Sequence, residues 1–182
     1  MSTSTKVKTT WAIDPDHSEI HFKVKHMMVS TVTGSFNEFG ATVESESEDF
    51  DGANISFWAN INSIDTNNEA RDNHLKSDDF FNAGEYPKMS FQSRSFTRQE
   101  DGNFKLIGDL TIRDQTKEVE LDAELFGVAV DPYGQTKAGF EINGKINRKD
   151  FNLKWNAVTE AGSVVVSDEV RLALNVQLTS KL

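Results

Sequence analysis

The chain has 182 residues and carries 19 Lys and Arg against 29 Asp and Glu, a formal net charge of -10 that repels phosphate backbones and anionic surfaces and argues against nucleic-acid binding. It holds no cysteine, which removes disulfides, thiolate catalysis and cysteine metal sites from consideration. Thirteen Phe stand against two Tyr and three Trp, and so many rings without a polar handle call for a large apolar interior.

Residues 1–10 read as an N-terminal tail and 11–182 as one domain, with no repeat or linker between. The opening MSTSTKVKTTWAIDP lacks an apolar stretch of signal-peptide length, and no window approaches a transmembrane span. The expectation is therefore a cytoplasmic protein without membrane insertion. DPDHS, at 14–18, reads as a turn held by side chain to backbone hydrogen bonds.

From there the dominant signal is period two. In HSEIHFKVKH, Ser18, Ile20, Phe22, Val24 and His26 share one face, and Glu19, His21, Lys23 and Lys25 the other. GSFNEFGATV breaks phase, so a bulge is expected near Asn37–Gly40. NISFWANI resumes the alternation with Ile55, Phe57, Ala59 and Ile61. The stretch NEARDNHLKSDDFF interrupts it. Thr66 and Glu69 have the spacing of a capping box, the helical pattern runs to Lys76, and Asp78 can cap a second turn that carries Phe80 and Phe81. The Tyr86-Pro87 pair then forces extended backbone.

Four more alternating runs follow. Phe104, Leu106, Gly108, Leu110 and Ile112 align, then Val119, Leu121, Ala123, Leu125 and Gly127, then Ala138, Phe140, Ile142, Gly144 and Ile146, and last Val170, Leu172, Leu174, Val176 and Leu178. EDGN at 100–103, RDQT at 113–116 and DPYG at 131–134 are tight-turn compositions. One dry and one wet face on each strand means an antiparallel sheet in which sequential neighbours pair. Roughly eight long strands with a single helix to cover them are best accommodated by closure into a barrel. Strands of about eleven residues at ~3.3 Å each, tilted by about 40°, give a tube ~28 Å tall. Inward small residues at Ala59, Gly108, Ala123, Gly127 and Gly144 are expected to leave volume inside it.

Metal binding finds little support. His17 and His21 lie ~13 Å apart on an extended strand, too far to share an ion, and His21 and His26 face opposite sides. No nucleophile elbow, zincin motif, phosphate loop or dinucleotide fingerprint is present, so neither a catalytic residue nor a cofactor is assigned.

Four blocks carry a resemblance. DPDHSEIHFKVKHMMVSTVTGSFNEF, SIDTNNEARDNHLKSDDFFNAGEYPKMSFQS, GDLTIRDQTKEVEL and NRKDFNL occur in that order and are similar to the YceI-like, or polyisoprenoid-binding, family. The likeness runs from about Trp11 to the C-terminus, and Asp114 stands where glycine is frequent in the family. The resemblance implies an extended, lipocalin-like, eight-stranded antiparallel β-barrel with a short helical insertion capping one end. It also implies a long isoprenoid or similar fatty amphiphile as the guest.

The residues expected to line the site are Phe22, Val24, Ile55, Phe57, Ile61, Phe91, Leu110, Phe140, Ile142, Leu172 and Leu174, with Phe80 and Phe81 closing one end and His26 as an interior polar group. Arg71 and His74 stay open between tying down the insertion and contacting a ligand head. The competing readings are a side-chain-filled barrel that binds a protein partner, and an enzyme acting on an apolar substrate. Trp58 and Phe126, apolar on wet faces, would mark an interface, and a homodimer is compatible with either binding reading.

Overall fold

The computed structural model describes residues 8–46, 49–156 and 165–181. Alternating patterns become strands β1 (Thr9–Ile13), β2 (Glu19–His26), β3 (Ser30–Phe36), β4 (Phe39–Ser45), β5 (Asn54–Asn60), β6 (Ile64–Asp65), β7 (Lys88–Arg98), β8 (Phe104–Ile112), β9 (Gln115–Val130), β10 (Thr136–Asn147) and β11 (Val166–Lys181). One α-helix, α1 (Glu69–Lys76), lies between β6 and β7. β1 begins at Thr9, so the sheet takes in the last two residues of the segment read as a tail.

Every pairing is antiparallel. Three barrel strands are broken in the middle: β1 continues as β2, β3 as β4, and β5 as β6. β11 pairs with both halves of the first, Ile13↔Leu178 on β1 and Phe22↔Leu172 on β2, and so closes the ring. Counted this way the barrel has eight strands, each paired with its neighbours in sequence.

Each break has a local cause. Between β1 and β2 the turn is held by Asp14, whose carboxylate accepts from the Asp16 N–H at 3.1 Å and from His17 Nδ1 at 2.9 Å. Burial alone would raise the Asp14 carboxyl, but the hydrogen bonds from His17, Asp16 and Lys137 hold it below the ordinary aspartate range. The break between β3 and β4 falls at Asn37 and Glu38, inside the window where the alternation changed phase. A 3₁₀ turn over Ile61–Ser63 separates β5 from β6. Ile61, its first residue, is fully buried in the core.

The helix cap differs from the expected capping box. Asn67 adopts φ 61° and turns the chain early, so that Asn68 caps α1 and accepts from the Arg71 N–H at 3.0 Å. Thr66 is buried and already engaged. Its hydroxyl donates to Asp72 and accepts from Arg71 Nε, while its carbonyl accepts from Arg71 Nη2.

One end of the barrel is plugged by rings. Trp11 and Phe50 have centroids 5.0 Å apart, Phe50 meets Phe140 edge-on at 5.1 Å, and Phe96 stacks on Phe104 at 4.4 Å. Phe50 comes from the β4–β5 connection, outside any alternating run, and holds a left-handed backbone at φ 69°. The packing of its ring offsets that strain. Phe50→Ala is expected to lower stability by about 3–4 kcal/mol, read as a fall in the urea midpoint with an unchanged slope.

Candidate functional site

Beyond the ring cluster the inward face of the barrel surrounds a cavity of about 200 Å³. Its wall is almost wholly apolar. Phe22, Val24, Ile55, Phe57, Phe80, Phe81, Phe91, Leu110, Phe140, Ile142, Leu172 and Leu174 all face it, as do Leu75 from α1, Val119, Ile146 and Val170. Several of these, including Phe22, Val24, Ile142, Leu172 and Leu174, are only half-buried. Each strand contributes through its alternation, since inward positions recur every second residue.

Four residues expected in the site lie elsewhere. Ile61 is buried in the core and is not on the cavity wall. His26 is at the last position of β2, where the strand has run past the barrel rim, and it is exposed. Arg71 is turned back onto Thr66 and ties the insertion to the end of β6. His74 bonds Asp79 at 2.8 Å and sets its ring against Phe80 and Trp155 at 5.1 and 4.7 Å. The cluster that is densest in chemistry in the sequence thus organises the insertion, and presents Leu75, Phe80 and Phe81 to the cavity.

The inward glycines do not supply the free volume. Gly34 is covered by the ring of Phe22, Gly108 by the ring of Phe91, and Gly144 by Leu121 from the neighbouring strand, so that a Cβ at any of them would collide. Ala59 and Ala123 are closed over as well. Gly127 lies outside the core, in an open stretch. The volume lies instead among the larger aliphatic and aromatic side chains of the wall, and it reaches the rings of Phe50, Phe96 and Phe140. Trp58, expected at an interface, lies over Gly40 on the outer face with Lys88 4.6 Å above its ring.

Two arginines outside the expected set shape this end. Arg113 sits in the two-residue turn between β8 and β9 at φ 55°, next to Asp114. Its guanidinium donates to the carbonyls of Phe80 at 3.0 Å and Asn152 at 3.3 Å and to the Asp78 carboxylate at 3.2 Å. It thereby fastens the insertion to the segment after β10.

Arg148 is buried at the cavity wall, and burial pushes its pKa down against the opposing charge of Asp168. Nε donates to the Ser167 carbonyl, Nη1 to the carbonyls of Leu153 and Trp155, and Nη2 to the Val166 carbonyl. Its fork is fully engaged in holding residues 153–155 against the start of β11. Sequence reasoning missed both arginines, although Arg148 lies inside the NRKDFNL block. A lone cation at a strand end gives no hint that four carbonyls converge on it.

No group of metal-ligating side chains occurs among the described residues. A closed antiparallel barrel around an apolar hollow is the architecture of the lipocalin-like binding proteins. The chain belongs to the YceI-like family, whose domain model matches residues 11–178. A UPF0312 protein of Staphylococcus aureus (strain N315) is 37% identical over 172 residues, covering 94% of this chain and 98% of the relative. The Campylobacter jejuni YceI protein superposes with a TM-score of 0.74 at 34% identity, over 88% of this chain and 91% of that one. Burkholderia cenocepacia BcnA shares the fold at a TM-score of 0.79 and 19% identity, over 91% of this chain and 98% of its own. A polyisoprenoid binding domain from Saccharophagus degradans shares it at 0.62 and 12%, over 94% and 98%.

Removing the Arg148 fork would leave buried carbonyls without donors. Arg148→Met is expected to cost about 3 kcal/mol in chemical denaturation. Arg148→Lys should recover less than half of that loss, because an ammonium cannot reproduce the planar fork.

Proposed function

We propose that this protein binds one long apolar chain in the barrel, an isoprenoid or similar amphiphile of the polyprenyl or isoprenoid-quinone type, and carries or sequesters it. The cavity carries this reading: about 200 Å³ of hollow, walled by aliphatic and aromatic side chains. Each CH₂ moved into it from water contributes about 0.8 kcal/mol, so a chain of a few isoprene units has ample driving force without a polar contact. Among the described residues, the polar side chains on the wall are His21 and Arg148, and the Arg148 donors already serve backbone carbonyls. A charged head therefore finds no free partner inside and stays at the rim.

The Saccharophagus degradans neighbour is a polyisoprenoid binding domain, the same class of ligand. At its low identity that likeness bears on fold, so the ligand chemistry rests on the cavity. The reading is of binding rather than catalysis, and a barrel with this hollow is a poor match to the filled-barrel alternative. Native mass spectrometry of the purified protein, followed by solvent extraction, is expected to release a prenyl or long-chain lipid. Leu172→Trp should reduce uptake of an apolar fluorophore at least tenfold while shifting the melting temperature by only a few degrees. Unchanged uptake would remove the cavity from the argument.

Self-association belongs to the same proposal. β8 ends opposite Ala123, so β9 runs on from Glu124 to Val130 paired on one side only, by β10. Phe126, Val128 and Val130 are exposed along it. Such an edge invites a second strand. Antiparallel pairing with a second copy about Gly127 sets Phe126 against Val128 and brings no like charges together. Phe126→Asp is expected to convert the homodimer to monomer in sedimentation velocity; a wild-type monomer at high concentration would refute the edge pairing.

A further inference from the structure

The hairpin between β2 and β3 combines three features. Its tip is Met27-Met28-Val29, and these side chains are 40%, 66% and 84% exposed. Both methionines hold left-handed backbone, at φ 54° and 58°, a conformation that unbranched L residues adopt only under constraint. The hairpin is pinned beneath the tip, with the Val29 N–H on the His26 carbonyl at 3.1 Å and the Met27 N–H on the Val165 carbonyl at 2.8 Å. Three consecutive apolar side chains are thus held out into solvent by a fixed scaffold.

Charge around the tip runs against that of the whole chain. From Ile20 to Phe36 there is no Asp or Glu, although the protein has 29, while Lys23 and Lys25 point outward just below the tip. Across the neighbouring strands Lys145, Arg171 and Lys23 stand side by side in register. Among the described residues, two acids at the start of β11 are paired with cations, Asp168 with Lys149 at 3.2 Å and Glu169 with Lys145 at 3.5 Å. The hairpin itself thus presents lysines without acids on a chain of net charge -10. Just inside the tip Val24, Val166 and Val170 belong to the cavity wall. β3 also lacks a second neighbour from Ser30 to Gly34, since β6 reaches only Ser35 and Phe36. Among the described residues the barrel wall is therefore incomplete on the side where the tip projects.

We propose that the Met27–Val29 tip docks this protein on an anionic lipid bilayer, inserting its apolar side chains at the interface while Lys23 and Lys25 meet the lipid phosphates. This rests on the cavity reading, because it describes how the barrel meets its cargo. Apolar side chains backed by cations on one face are the composition of interfacial binding.

The chain has no cysteine, so Met28→Cys accepts a single environment-sensitive fluorophore, and Tyr133→Cys at the opposite end of the barrel serves as control. Vesicles of phosphatidylcholine with 30% phosphatidylglycerol (about one anionic lipid in three) are expected to blue-shift the label at 28 and leave the label at 133 unchanged; pure phosphatidylcholine should shift it far less. Raising salt to 0.5 M should weaken binding at least tenfold, as screening requires. Met28→Asp and Lys23→Glu/Lys25→Glu should each lower vesicle co-sedimentation at least tenfold, and slow transfer of a fluorescent prenyl probe from vesicles to the same degree. Uptake of that probe delivered without vesicles reads the cavity alone and should be unchanged in these variants. If it is normal and the wild type ignores anionic vesicles, or the variants bind them as well as the wild type, the docking proposal is overturned and the cavity stands. Loss of vesicle-free uptake in the wild type would overturn the cavity reading instead.

Discussion

Closure of the sheet by β11 is the constraint on which everything else depends. β11 is sixteen residues long; Glu169–Thr179 pair with β10 on one side, and its other edge pairs with β1 and β2. Once the ring is shut, the dry face of every strand looks at the dry face of the opposite strands. No second layer exists to fill the space, and only side-chain length decides whether the interior is solid. At one end five aromatic rings pack together. The cavity runs from those rings along the inward face, walled by aliphatic and aromatic side chains. The hollow is what remains when a sheet of fixed circumference is not wholly filled by its own side chains.

Period two made the strands legible, because one face of each is wet and one is dry. The eight-strand closure follows from the shortage of helix to cover them, and the cavity wall follows from parity. Parity fails wherever the backbone leaves the strand. Ile61 has the right parity in the sequence and sits in a 3₁₀ turn. His26 also has it and lies past the rim. Phe50 has no parity at all, coming from a connection, and yet it plugs the closed end. The inward glycines misled for a different reason. Absence of a side chain does not mean absence of atoms, and Phe22, Phe91 and Leu121 lean across strands to occupy the places opposite Gly34, Gly108 and Gly144. Which neighbour leans where is set by rotamers in three dimensions, and no window of sequence records it.

Polar side chains at the insertion invite a catalytic interpretation from sequence, and the geometry assigns nearly all of them to construction. Arg71 and Asp72 hold Thr66, His74 holds Asp79, Arg113 holds the Phe80 and Asn152 carbonyls, and Arg148 holds four carbonyls around the start of β11. The reason is the irregular backbone. Residues 77–87 and 148–156 cross the end of the barrel without sheet partners, and their carbonyls still need donors. Arginine supplies several donors in one rigid fork, which is why two arginines suffice to tie these segments together.

This distribution of donors bears on the guest that the tunnel can accept. A carboxylate drawn into an apolar cavity loses its hydration and must find hydrogen-bond donors there. Arg148 is the one cation on the wall, and its N–H groups point away into the carbonyls it ties together. Turning it toward a ligand would strip those carbonyls of their partners and loosen the start of β11, so the exchange is unfavourable on both sides. An uncharged polyprenyl tail makes no such demand: it gains from burial alone, at any register along the tube. On the function proposed above, the barrel would select by what it lacks, taking the apolar length of an amphiphile and leaving its polar end outside the wall.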